Sequence, residues 1–270
     1  MAIWKPRFRA LILISALLSA NFAFGAEWCA PSAPRHPPHP ITGDTCPVVG
    51  KMGNSKLAIP SEYLLGPIAY KGVDIWSAES YKNRPQQPTF NNEIDSFAIR
   101  IRQTDFKPIE TVSDQEAYRE SYESVRKLPP PNNRWLHVGF DGRHYPTDPA
   151  SVVAERWHEM YARGPFEKKS DMWGLAHNLS SQLPSKDVTH GGGIQWEYFY
   201  DEQGDTFIDC QNTLRKVPPY DLLSFCEIWF NAPKIRAEVN IGNIRDKADL
   251  GRWSEIEAGV LRVLDSFVVQ

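Results

Sequence analysis

The residues of this chain that could do chemistry are its four cysteines, its seven histidines and a few clustered acids, and their spacing limits what each can do. Cys29, Cys46, Cys210 and Cys226 form an even set, which in an exported chain reads as two disulfides with three possible pairings. Nearness in sequence favours Cys29 with Cys46 and Cys210 with Cys226. Each bond would close a loop of about 16 residues, worth about 3 kcal/mol in the chain-entropy model. A zinc site fits less well, since no C-x-x-C occurs and neither downstream cysteine has a histidine close by. Oxidised cysteines leave no thiol nucleophile.

The histidines and acids fare no better as catalysts. His158-Glu159 lies on an expected helix, but Ala162 stands where a zinc protease would carry its second histidine. Asp141-Gly142-Arg143-His144 has the composition of a turn. His190 precedes Gly191-Gly192-Gly193 as in a lipase oxyanion loop, yet no G-x-S-x-G elbow supplies the nucleophile. Neither G-x-x-x-x-G-K-[ST] nor G-x-G-x-x-G occurs. Asp201, Glu202 and Asp205 do not follow the ligand spacing of a calcium loop, and a hairpin tip accounts for them. Asn178-Leu179-Ser180 matches a glycosylation triplet, of a kind that arises often by chance. No cofactor and no metal is expected.

Residues 1–25 read as a signal peptide: Lys5, Arg7 and Arg9 precede the apolar run Ala10 to Ala20, and Ala23-Phe24-Gly25 offers a cleavage site before Ala26. The apolar run is too short for a spanning helix, and no other stretch approaches one. The expected location is therefore the periplasm. Loss of three basic residues with the leader makes the mature chain more acidic than the net −3 of the whole, which argues against nucleic acid as a partner. At 41% apolar and 23% charged, the composition is that of a folded globular protein.

The elements that must position these residues follow from periodicity. Residues 26–50 are rich in proline (Pro31, Pro34, Pro37, Pro38, Pro40) and read as an arm pinned by Cys29 and Cys46. Residues 51–131 would form an N-terminal α/β lobe. Lys56 to Leu64 is a strand running into Pro60, Val73 to Trp76 fits a short strand, and Phe97 to Arg102 alternates strictly. Ser113 to Lys127 reads as a helix with Ser113 and Glu116 as its capping box, and Pro129-Pro130-Pro131 as a hinge after it. Residues 132–270 would form a C-terminal α+β lobe. Trp135 to Phe140 is a strand and Pro149 to Tyr161 a helix, while Met172 to Leu183 fits either state. Ile194 to Tyr200 and Thr206 to Cys210 make a hairpin, with Ile194, Trp196 and Tyr198 on one face. Leu222 to Phe230 and Ile235 to Ile241 complete a four-stranded meander. Leu250, Trp253, Ile256, Val260, Leu264 and Phe267 form one stripe of a closing helix, with Asp246 or Asp249 as its cap. The fold class expected is α+β, two lobes of antiparallel sheet with packed helices, the meander covered by the final amphipathic helix.

Ile59-Pro60-Ser61-Glu62-Tyr63-Leu64, the Phe97 to Arg102 strand with Asp105-Phe106, the Cys210 and Cys226 pair, and the Trp253 to Phe267 helix occur together behind an export leader. In this the chain resembles the periplasmic immunity proteins encoded beside antibacterial effectors of type VI secretion systems. Ser61 departs from that family, which carries a basic residue within this stretch. The resemblance implies a non-enzymatic protein that binds and blocks a cognate effector, and no catalytic residue transfers with it. Tyr145, Trp173, His190 and Asp205, on expected loops, are the candidates for partner contact. Two other readings compete: an envelope-assembly or ligand-binding accessory protein, and a hydrolase using His137, His144, His158 or His190 as base.

Overall fold

Where apolar residues alternate along the described segments the chain forms strands, and two antiparallel sheets packed with helices result. The computed structural model describes residues 46–123, 135–143, 145, 156–158, 160, 162–163, 165–180, 183–184, 193–202, 205–217, 220–244 and 247–270. The expected signal peptide, most of the expected Pro-rich arm with Cys29, the expected hinge at Pro129 to Pro131, His144 and His190 lie outside these residues. The small sheet is β1 (Val48–Met52), β2 (Ser55–Ile59) and β13 (Val268–Val269), with β2 central.

Across the large sheet the order is β3 (Ala69–Tyr70), β4 (Ile94–Arg102), β5 (Trp135–Asp141), β12 (Ala237–Ile244), β11 (Tyr220–Ala232), β10 (Phe207–Val217), β9 (Gly193–Tyr200), β7 (Leu175–Ser180) and β6 (Phe166–Met172). A short β8 (Leu183–Pro184) also pairs with β9. Strands β9 to β12 are the expected meander. Its outer strand β12 continues onto β5 and then β4, so the 51–131 and 132–270 sections contribute strands to one sheet. Helices α1 (Ala78–Tyr81), α2 (Val112–Glu123) and α3 (Trp253–Phe267) accompany the sheets. No helix among the described residues is long and apolar enough to cross a membrane.

One face of the large sheet is sealed by α3. Ile256, Val260, Leu264 and Phe267 pack in a single cluster with Ile99, Val138, Phe140, Ile228, Phe230, Val239 and Ile241, all essentially inaccessible. Cys210 and Cys226 sit opposite each other in the β10–β11 register and are joined by a disulfide within this core. Cys46 is also disulfide-bonded.

Several local expectations need correction. The residues Val73 to Trp76 make a turn rather than a strand, because Asp74 folds back on its own backbone. α2 is capped by Thr111 and Asp114, not by Ser113 and Glu116: the Thr111 hydroxyl accepts from the Asp114 N–H at 3.0 Å, and the Asp114 carboxylate accepts from the Thr111 N–H at 3.0 Å. An ion pair from Arg102 to Asp114 (2.9 Å) favours that register. α3 opens at Trp253 behind a 3-10 turn (Lys247–Arg252) that contains Asp249, and Arg252, at the cap position, makes no side-chain capping bond. Fully buried Leu250 sets the course of that turn. On β9 both faces are covered. Phe199 enters the core under α3, while Tyr198 and Tyr200 join a second cluster with Met160 and Phe207. The described residues between Met172 and Leu183 are strand at Met172, Leu175–Ser180 and Leu183, with a turn at Trp173 (φ 56) and Gly174 (φ 79) between β6 and β7.

Candidate functional site

The face of the large sheet turned away from α3 is only partly covered, and a cleft of about 580 Å³ lies on it. Its floor follows from residue size. Alternation places Ser96 and Ala98 of β4 on this face, and register sets Ala98 opposite Gly139 of β5, which in turn faces Asn240 of β12. Of these four side chains that of Ala98 is a methyl group and Gly139 has none, so the centre of the floor is backbone and small carbon. A Cβ added to Gly139 would meet no atom closer than the Asn240 carbonyl at 4.0 Å. One wall is the segment Leu65-Gly66-Pro67, held against β4 by the Leu65 N–H donating to the Ala98 carbonyl at 2.9 Å.

The opposite wall is an aromatic and ionic stack. Arg156 places its guanidinium 3.5 Å over the Trp229 ring and pairs with Glu238 at 3.0 Å, where the Glu238 side chain is almost wholly buried. Both contacts fix the arginine, since its planar group satisfies the ring and the carboxylate at once.

Trp76 stands at the rim and is 91% exposed, the most exposed of the large apolar side chains among the described residues. Its loop is nevertheless tightly built. Asp74 accepts from the Trp76 N–H at 2.9 Å, the Asp74 N–H donates to the Ser80 hydroxyl at 2.7 Å, and Ser77 caps α1 by accepting from the Ser80 N–H at 3.3 Å. An indole held out in water by an ordered loop is a prepared contact, because little loop freedom is left to lose on binding.

A second polar constellation lies on the covered face. Glu197 receives Lys247, the Asn212 amide (3.0 Å) and His177 Nε2 (2.9 Å), and the Ser224 hydroxyl donates to Asn212 at 2.7 Å. Burial raises the Glu197 carboxyl, but the hydrogen bonds from Lys247 and Asn212 and the charges of Lys247 and His177 outweigh it and hold the group below its ordinary value. Ser224 thus touches an amide, which cannot take its proton, and His177 stacks on Phe199 with ring centroids 4.6 Å apart. The arrangement clamps β7, β9, β10 and β11 to the turn before α3. It does not activate a nucleophile.

Three of the four candidate contact residues are described. Register puts their loops at one end of the large sheet: Tyr145 beyond β5, Trp173 between β6 and β7, and Asp205 between β9 and β10. No contact joins them. Tyr145 lies under the Arg236 guanidinium, 5.7 Å away. Trp173 is half-buried against Phe199 and accepts from the Trp253 indole N–H at 3.1 Å through its carbonyl. Asp205 helps raise the half-buried Glu257 carboxyl, for which burial itself is the larger cause. The hydrolase candidates scatter too: His137 meets the Tyr118 hydroxyl at 3.2 Å, and His158 is exposed on its helix. Sequence reading passed over the cleft, whose signal was Trp76 beside turn-forming Asp74 together with small residues at the outward positions of β4 and β5.

No family model matches this chain, and no curated protein does. Among solved structures it is similar to an immunity protein of the Stenotrophomonas maltophilia type IV secretion system, at 15% sequence identity and a TM-score of 0.47, over 89% of this chain and 100% of that one.

Proposed function

We propose that this protein is an exported, non-enzymatic binding protein that neutralises a cognate antibacterial effector by forming a tight non-covalent complex with it in the periplasm. The resemblance carried by the motifs quoted from the sequence supports an effector of a type VI secretion system. The observation that carries the reading is the solvent-exposed indole of Trp76 on an ordered loop beside an apolar cleft floored by Ala98 and Gly139. Tight interfaces draw most of their energy from a few aromatic or arginine anchors seated in such hollows. The charged groups that border the cleft, Arg156, Glu238 and Asp141, are engaged in ion pairs with protein partners, which suits a surface that binds rather than one that reacts. The Cys210–Cys226 disulfide supports an oxidising compartment.

The test is co-purification and protection. The mature protein should form a stable complex with the product of the neighbouring effector gene, and should rescue cells that express that effector in the periplasm. A protein that neither binds nor protects overturns the reading and leaves the envelope-accessory role.

A further inference from the structure

The apolar cleft does not end at Trp76. A hollow of about 340 Å³ shares Ile75, Trp76 and Ser96 with it, and this in turn shares Asp95 and Arg143 with a third hollow of about 500 Å³. The three form one groove around the β3 edge of the large sheet, with Trp76 between its apolar and polar ends.

The polar end is built where three turns converge. The β1–β2 turn at Gly53 (φ 56) sits so close on the Ile235 carbonyl that a Cβ there has no room, and Ser55 donates to the Lys234 carbonyl at 2.8 Å. The segment after β5 is fixed by the Gly142 N–H donating to the Asp95 carbonyl at 2.8 Å. Lys51 and Lys71 are held against the start of β4 by their own backbone N–H groups, which donate to Asn92 and Glu93 at 2.8 and 2.9 Å.

This places Lys51, Lys71, Arg143 and Arg236 around one hollow, with Glu93 and Asp95 as the carboxylates lining it. Lys71 is matched by Glu93 at 2.5 Å, and Arg143 by Asp141 at 2.6 Å. Lys51 and Arg236 form no ion pair within the described residues, although the charge of Lys51 also acts on Glu93. In a chain of net charge −3, an excess of positive charge concentrated beside an anchor aromatic is a directional feature.

We infer that the hollow lined by Lys51, Arg143 and Arg236 receives an acidic segment of the effector, carboxylates of Asp or Glu, while Trp76 and the Ala98–Gly139 floor receive the neighbouring apolar side chain. The inference rests on the neutralising role proposed above and names the chemistry of the partner surface. A polypeptide is the occupant rather than a nucleic acid. The groove continues directly into apolar surface, which the side chains of a polypeptide match and a run of phosphates does not.

The experiment compares the wild-type mature protein with Lys51→Glu/Arg236→Glu, using a catalytically inactive form of the neighbouring effector as probe, by calorimetry at 50 and 500 mM NaCl. The double variant should bind about 10- to 100-fold more weakly at low salt and lose most of the salt dependence, with its melting temperature unchanged. Lys51→Arg/Arg236→Lys should retain both affinity and salt dependence. Equal affinity and equal salt dependence in the charge-reversed variant, with Trp76→Ala still weakening binding, would overturn the acidic-segment inference and leave the neutralising role standing. No binding by the wild type removes both. Phosphatidylglycerol vesicles or a DNA oligonucleotide that bind the wild type but not the variant, with effector affinity unchanged, would assign the hollow to another anion and likewise overturn it.

Discussion

The ring of Phe106 occupies the place where a Cβ on Gly259 would stand. Phe106 gets there through a left-handed backbone (φ 58) in the turn after β4, where its N–H donates to the Arg102 carbonyl at 2.8 Å and Arg102 grips Asp105 at 2.9 and 3.0 Å. The helix gives up about 1 kcal/mol of propensity by carrying glycine at that site. Gly259→Ala is therefore expected to destabilise by about 1–3 kcal/mol despite the better helix former, since the added methyl displaces the ring from its seat on the helix. Thermal melts of Gly259→Ala, Phe106→Ala and the double variant check this. The two changes should be strongly non-additive, the second rescuing part of the first. A stabilised Gly259→Ala would show that the ring swings aside without cost.

Glu197 ties four strands to the turn before α3, and its charge is what the tie depends on. Its carboxyl titrates below its ordinary value in the folded protein, so the unfolded chain takes up the proton first as pH falls. The clamp contributes fully at neutral pH and is lost as pH drops below about 4.5 towards the depressed folded value. Glu197→Gln should cost about 2 kcal/mol at pH 7, less than the loss of a fully buried pair because 31% of the Lys247 side chain remains in water. Denaturant titrations at pH 7 and pH 3.5 should show the variant and wild type converging in acid. A difference that stays constant with pH would mean that the side chain acts by packing alone.

The opposite sign holds for Glu227. Burial, then the charge of Asp209 directly across the β10–β11 register, raise its carboxyl. The Asn240 hydrogen bond at 3.2 Å and the charges of Arg156 and Arg163 offset this only in part. A raised folded value means that stability is present in acid and declines as pH rises through the ordinary carboxylate value towards the raised one. Glu227→Gln keeps an acceptor for Asn240 and removes the repulsion. It is expected to stabilise by about 1 kcal/mol at pH 7, a rise of about 2–4 °C in melting temperature, and to have no effect near pH 3.5.

What could be read from the sequence and what could not divide along a physical line. Phe97 to Arg102, Ile235 to Ile241 and the Trp253 to Phe267 stripe were legible because each element's own period encodes its buried face. The order β4-β5-β12 was not, because no local pattern says which strands become neighbours. The two-sided burial of β9 escaped for a related reason: alternation marks two faces, and aromatic residues on both, such as Tyr198 and Phe199, leave no polar side to exclude. The cleft was hidden in the same way. Ala98 and Gly139 are unremarkable one at a time, and they make a floor only once register aligns them. Trp76 looked like strand because Ile75 and Trp76 are strand-forming residues, while the Asp74 side chain had already committed the backbone to a turn.

The cleft and its rim can be separated by experiment, since one substitution removes an anchor and another fills the space beside it. Trp76 makes no buried contact to lose, so Trp76→Ala should leave the melting temperature within error while weakening effector binding by at least about 30-fold, the loss of a hot-spot aromatic. Ala98→Leu adds three carbons to the floor where Gly139 offers no side chain to clash with, so the protein should fold normally. It should nevertheless weaken binding, because the partner side chain meets a filled hollow, and the loss should appear mainly in the dissociation rate. Arg156→Ala is the control for indirect effects. It strips Glu238 of a partner and Trp229 of its cation, and its cost should fall on stability as well as affinity. Full protection of cells by the Trp76→Ala/Ala98→Leu protein at wild-type expression levels would move the interface elsewhere on the molecule. The loops bearing Tyr145, Trp173 and Asp205 at the end of the sheet would then be the next surface to test.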